Sequence, residues 1–378
     1  MRGLYVHVPF CVRKCGYCDF YSLPGRADSI DAYINAVPCE ARPHAGMSFS
    51  TLYLGGGTPS LLGPAGLEKL ISGLGNTFNL TGLAEATMEV NPDSATAELL
   101  ETARSAGIDR VSIGVQSLSD SELQKAGRIH SAERAIEAVS QAITMGFRTS
   151  ADLIAGLPGQ DWHSLKISIE TLIDLGVRHL SLYCLSLEEG TPLAANPPPD
   201  LPSEDAQAEL FGQATKLLKS RGFIHYEISN FAVKGEECLH NLNYWRGGEY
   251  LGLGPGAASH LDGKRYKNRP DLDAYLKDPT AQVEDVEKLD PKEKAAEEAM
   301  LRLRLLAEGL NAGELTRRFG HQAVRGVLDR LSKMAAAGWL TFDGSNYRLS
   351  PDRVLTSNPI FSTVLWGHEG VVNFQKSG

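Results

Sequence analysis

Leu4-Tyr5-Val6-His7-Val8-Pro9-Phe10-Cys11-Val-Arg-Lys-Cys15-Gly-Tyr17-Cys18-Asp-Phe20 is the stretch that decides how the rest of the chain is read. Its first five residues form a β-rich run that reads as a strand, and this strand empties into a loop holding three cysteines. Similar short runs follow at Thr51–Leu54, Ala86–Val90, Arg110–Val115, Arg148–Ile154 and His179–Tyr183. Helical patterns lie between them at Leu67–Phe78, Ala95–Ala106, Ala132–Met145 and Ser164–Leu175. Strand–helix alternation at about thirty residues per unit predicts right-handed βαβ crossovers and a parallel sheet. An open doubly wound sheet would carry a Gly-x-Gly-x-x-Gly turn after the first strand. Here the cysteines stand in that place, so six such units predict an α/β fold of the partial (β/α)6 TIM-like barrel type.

In barrels, functional groups gather at the C-terminal ends of the strands. Strand one ends in the cysteines and strand two in Gly55-Gly56-Gly57-Thr58-Pro59-Ser60. Strand three ends in Glu89-Val-Asn91-Pro92, strand four at Gln116-Ser117, and strand five carries Asp152 before Gly156-Leu-Pro158-Gly159. The cysteine spacing is C-x3-C-x2-C. Three thiolates this close can hold a [4Fe-4S] cube and leave its fourth iron without a protein ligand, open to a small molecule. Structural zinc is the competing reading, but zinc knuckles come in pairs and close with four ligands. The remaining cysteines, Cys39, Cys184 and Cys238, are isolated. A disulfide framework belongs to small secreted domains.

Of the 378 residues, 42% are hydrophobic, enough for a large domain with smaller additions. The net charge of −9 argues against a broad nucleic-acid-binding surface. No apolar run reaches the ~18 residues that span a membrane, which leaves peripheral contact open. The N-terminal apolar stretch is too short for a signal peptide, and reactive thiolates need a reducing compartment, so the expected location is cytoplasmic. The chain divides into 1–190, the barrel with its cluster site, 191–289, an extension opened by the stiff Asn196-Pro-Pro-Pro199, and 290–378. In the last part a helix pair, Glu314–Phe319 and Ala323–Ala337, precedes a hairpin signal at Asp343-Gly344. That order predicts a helical, winged-helix-like domain.

Several residues on the predicted rim have two readings. Gly56 and Gly57 can serve a tight turn or let backbone approach a ligand's amine and carboxylate. Glu89 can cap the next helix or bind sugar hydroxyls. Gln116, Arg128 and Asp152 are candidates by position alone, Arg128 as a bidentate carboxylate partner or a solvated cation. In the extension, His240-Asn241-Leu-Asn-Tyr244-Trp245 is either a polar turn under an aromatic pair or an accessible imidazole beside flat rings, suited to a planar metallated ligand.

The cysteine loop, Gly-Gly-Gly-Thr-Pro-Ser and the six βα units resemble the radical S-adenosylmethionine superfamily. Tyr5-Val-His-Val-Pro-Phe10, Glu89-Val-Asn-Pro92 and Asp152-Leu-Ile-Ala-Gly-Leu-Pro158 resemble its oxygen-independent coproporphyrinogen III oxidase branch. His240-Asn241-x-x-Tyr244-Trp245 resembles the signature of one subgroup, the HemW-type haem chaperones. The resemblance implies a [4Fe-4S] cluster on Cys11, Cys15 and Cys18, with S-adenosylmethionine chelating the fourth iron. It implies that Tyr5, Gly56, Gly57 and Thr58 lie near the methionine part. Tyr17, Glu89, Gln116, Arg128 and Asp152 then complete the cofactor site. His240, with Asn241, Tyr244 and Trp245, is the implied haem site, the imidazole being a candidate ligand of the haem iron. The oxidase carries a further cysteine where Phe20 stands and an extension before its first strand. Those departures favour haem binding and delivery to apo-haemoproteins such as respiratory enzymes, with an electron donor for the cluster, over a porphyrin-biosynthesis oxidase.

Overall fold

The computed structural model describes residues 1–366. The six expected strands are present, slightly longer than read: β1 Arg2–Val8, β2 Thr51–Gly56, β3 Glu85–Val90, β4 Arg110–Gln116, β5 Arg148–Ala155 and β6 His179–Cys184. They pair in sequence order, every neighbour parallel. The strands are nearly continuous apolar runs because both faces are covered, as in β4, where Arg110 to Val115 are all buried. Helices return the chain between strands, each stopped by local chemistry. Trp162–Leu175, for example, starts in a capping box between Asp161 and Ser164 and ends at Gly176, whose φ of 104° only glycine adopts freely.

The sheet is larger than expected. After β7 Ile224–His225 and β8 Asn230–Ala232, both antiparallel additions beyond β6, comes β9 Glu249–Leu253. β9 is a seventh parallel strand, paired with the free side of β1 in the register Leu4↔Leu251. Glycine, as at Gly252, is unfavourable inside a strand. Yet a Cβ on Gly252 would sit 2.1 Å from the Ala258 carbonyl oxygen, so that glycine permits close strand approach. β10 Ala258–Leu261, β11 Lys264–Asn268 and β12 Val283–Glu287 continue antiparallel. The order is β12-β11-β10-β9-β1-β2-β3-β4-β5-β6-β8-β7, and among the described residues no ladder joins the two ends. Side chains of β2 through β6 nevertheless line one small internal cavity of about 40 Å³, so the parallel part is concave around a polar interior.

The short helix α1, Leu239–Trp245, covers the N-terminal ends of the parallel strands. Beyond the sheet, α2 Pro291–Leu303 leads to α3 Ala312–Phe319, α4 His321–Ala336 and the hairpin of β14 Leu340–Phe342 and β15 Asn346–Leu349, to which β13 Leu310–Asn311 adds a third strand. Val324, Val327 and Leu331 from α4 pack with Leu340 and Leu349. This is the helix–helix–hairpin order expected from the sequence. Residues 367–378 of the expected C-terminal domain lie outside the described residues.

Candidate functional site

A cavity of about 340 Å³ opens at the C-terminal ends of the parallel strands. The loop after β1 brings Cys11, Cys15, Tyr17 and Cys18 to it, and the end of β2 brings Gly56, Gly57 and Thr58. Glu89, Gln116 and Asp152 enter from β3, β4 and β5, and Arg128 from the segment after β4. Residues separated by more than a hundred positions thus meet on the rim where barrels carry function.

The glycine loop and the cysteine loop lie against each other. Gly57 N donates to Val8 O at 2.8 Å, and a Cβ on Gly57 would fall 2.5 Å from Phe10 O, so any side chain would displace the cysteine strand. Arg128 fastens the far side. Its Nη2 donates to Asn91 Oδ1 at 2.8 Å and Gly114 O at 2.9 Å, and its Nη1 lies 3.5 Å from Cys15 Sγ. Arg128 Nε is buried without a partner. A half-buried guanidinium against the Cys15 thiol suits the negative charge that thiolates and a cluster would bring. Among the described residues, no three His, Cys, Asp or Glu side chains converge tightly enough to share a single metal ion. A cube makes a different demand, one iron for each thiolate. Burial pushes the Cys11 and Cys18 thiols up, so loading the site must release protons. Gln116 holds φ at 65°, a left-handed conformation that costs a non-glycine residue about 1 kcal/mol.

Two acids line the cavity without an ion-pair contact, although Arg128 bears on Asp152 from a distance. Glu89 accepts from Tyr53 Oη at 2.8 Å and Gly56 N at 3.0 Å, while burial pushes its carboxyl up to about 7. Asp152 accepts from Ser112 Oγ at 3.1 Å, and burial pushes it up to about 6.

Tyr5 is the exception among the expected rim residues. It points into the interior two residues below His7, donating or accepting at His7 Nδ1 over 3.0 Å, and lines a different cavity. Strand alternation puts it on the inner face, its hydroxyl reaching the His7 ring that packs against Gly56.

The His240 expectation is corrected more sharply. His240 is fully buried at the opposite, N-terminal ends of the strands. Its Nδ1 bonds Thr51 Oγ1 at 2.8 Å and its Nε2 bonds Tyr244 Oη at 2.7 Å, while the ring stacks on Tyr53 at 5.1 Å. Burial lowers its pKa to about 3, so it is neutral. Neither nitrogen is free for iron. The motif instead divides by direction. Asn241 lines the 40 Å³ internal cavity, whereas Tyr244 and Trp245 line a separate outer cavity of about 330 Å³.

Sequence reasoning missed what holds this lower end. Glu85 and Arg110, the first residues of β3 and β4, form a buried ion pair at 2.9 Å. Glu85 Oε1 also accepts from His240 N at 3.0 Å, and Arg110 Nη2 donates to the Glu236 and Glu237 carbonyls. The pair therefore clamps residues 236–240 to the sheet. Its signal, a charge at the start of an apolar run, reads equally well as a strand end in water.

Residues 5–172 match the model of the radical SAM superfamily, and residues 289–352 match that of the HemN C-terminal domain. The heme chaperone HemW of Mycobacterium tuberculosis strain H37Rv is 35% identical over 96% of this chain and 94% of its own. HemW of Escherichia coli strain K12 is 40% identical over 68% of this chain and 69% of its own. Among solved structures, the radical SAM coproporphyrinogen III oxidase HemN of Escherichia coli superposes with a TM-score of 0.82 at 22% identity, covering 96% of this chain and 89% of that one. The last likeness concerns the fold.

Proposed function

The chain belongs to the HemW family of radical SAM proteins, and on that premise we propose that it binds haem and delivers it to apo-haemoproteins, respiratory enzymes among them. The full-length likeness to heme chaperones carries this reading. Two cavities at opposite ends of one sheet support it, because they leave room for a cluster site and a cargo site that do not overlap.

On the C-terminal rim, Cys11, Cys15 and Cys18 would hold a [4Fe-4S] cluster. Gly56, Gly57, Thr58, Glu89 and Gln116 would seat S-adenosylmethionine. Bound there, a reduced cluster supplies one-electron chemistry towards the sulfonium. The chain's own residues position and neutralise. Gly57 brings backbone within reach, Arg128 offsets thiolate charge, and Glu89 offers an acceptor for ligand amine or hydroxyl protons. A cytoplasmic location and an external electron donor fit this use. Among the described residues no helix is long and apolar enough to cross a membrane.

The test is haem titration of the anaerobically reconstituted protein, followed by mixing with an apo-haemoprotein. A saturable Soret band that moves to the acceptor is expected. A protein that binds no haem, yet releases carbon dioxide from coproporphyrinogen III under a strong reductant, would replace this reading with the oxidase.

A further inference from the structure

We infer that haem docks on the N-terminal rim, in the outer cavity beneath α1, with His260 as iron ligand and Arg265 as the partner of a propionate. This inference rests on the haem-binding reading and names its site.

The geometry is a single row of side chains. Tyr250 on β9 lies opposite His260 on β10, and His260 lies opposite Arg265 on β11. Directly opposed residues in adjacent strands project to the same face. The three side chains therefore stand together in the 330 Å³ cavity, with Tyr244 and Trp245 from α1 on one side and Leu301 from α2 on another. Gly247 and Gly248 line the same space, and a Cβ on Gly248 would strike Asn243 Oδ1 at 2.0 Å. The wall between the motif and β9 must stay bare.

His260 has the ligand's hydrogen-bond pattern. Its Nδ1 lies 3.3 Å from Gly248 O. A carbonyl only accepts, so Nδ1 carries the proton and Nε2 keeps its lone pair, the arrangement found behind metal-bound histidines. Nε2 has no hydrogen-bond partner among the described residues. Three buried histidines lack this freedom, while His130 also keeps one nitrogen unpartnered. His240 and His179 use both nitrogens, His179 on Ser150 Oγ and Tyr226 Oη, and His7 uses both on Tyr5 and Tyr21.

The remaining polar atoms fit an amphiphilic, anionic, planar guest. Arg265 Nη1 holds Glu297 at 2.8 Å, but its Nε is buried without a partner. Trp245 Nε1 is likewise unpartnered. Two unsatisfied donors at one apolar-walled cavity are costly unless a ligand supplies acceptors. Carboxylates do so, and aromatic walls accept the macrocycle. One protein ligand in an open cavity also suits cargo that must leave again.

The test uses the full chain with its cluster reconstituted, titrated with ferric haem and read as difference spectra and electron paramagnetic resonance. For H260G, the histidine-ligated spectrum should be lost and haem affinity should fall on the order of tenfold or more. Added imidazole should restore the spectrum, which a merely structural role of His260 would not allow. R265Q should weaken binding of haem more than that of its dimethyl ester. Should wild type bind haem and H260G give the same spectrum and affinity, the site is wrong and the haem reading survives. Should wild type show no saturable binding, both fall.

Discussion

The two ends of the parallel sheet treat charge in opposite ways. At the C-terminal end, Glu89 and Asp152 line the cavity with hydroxyl and amide donors but no ion-pair contact, Arg128 bearing on Asp152 only from a distance, and burial pushes their carboxyls up to about 7 and about 6. At the N-terminal end, Glu85 is buried against Arg110 at 2.9 Å and Arg148 at 3.2 Å. Uncompensated acids are expensive and persist where a ligand will complete them. A compensated acid is architecture: Glu85 spends its oxygens on Arg110, Arg148 and the backbone of His240. The upper rim is thus poised for a polar cofactor. At the lower rim the charged core fixes α1, and the free chemistry lies outside it, on Tyr250, His260 and Arg265.

The strongest challenge to this division removes one rim. With Cys11, Cys15 and Cys18 replaced by Ser, iron and the absorbance near 400 nm should disappear entirely. Haem affinity should change by no more than about twofold, the tolerance for sites that share no partners. Loss of haem binding with the cluster would show the rims to be one site. The reciprocal challenge is Glu85→Ala. It leaves Arg110 buried and unpaired and should cost about 3–5 kcal/mol in denaturant unfolding. Haem binding should weaken before cluster assembly does, because the clamp on residues 236–240 opens first.

These experiments also follow the line between what the sequence revealed and what it hid. Cys11, Cys15 and Cys18 are legible because all three sit in one loop, and Gly56, Gly57, Glu89, Gln116 and Asp152 because each lies at or near the end of a strand whose period is visible. The lower rim has no such local record. Tyr250, His260 and Arg265 become neighbours only through strand register, and β9 itself was disguised by Gly252 and Gly254. His240 was read correctly as unusual and wrongly as accessible. Its burial depends on Thr51, far away in sequence, and on Tyr53 stacked above it.

The charge contrast has a pH signature. Glu89 holds its proton in the native state up to about 7, against an unfolded value of about 4.5. The native protein therefore binds more protons between those values, and stability falls as pH rises through the window. Asp152, raised to about 6, acts in the same direction from below. Glu89→Gln should relieve its share, on the order of 2–3 kcal/mol above pH 7, and leave stability at pH 4.5 nearly unchanged. Urea titrations of wild type and variant at both pH values give the comparison. Parallel curves would mean that Glu89 is ionised and compensated, and the two rims would then be alike.

The finest test concerns His240 itself. Thr51→Val keeps the side chain's shape and removes the partner of Nδ1. A buried ring nitrogen left without a partner should cost about 1–2 kcal/mol, read as a lower urea midpoint at constant m. If His240 is a floor residue, the haem spectrum and affinity of this variant stay those of wild type, because Tyr244 still holds Nε2 and the ring still rests on Tyr53. If the imidazole turned out to bind iron, freeing Nδ1 would change its tautomer and basicity, and the Soret band would move. Stability without spectrum places His240 in the fold; spectrum with stability would return it to the site.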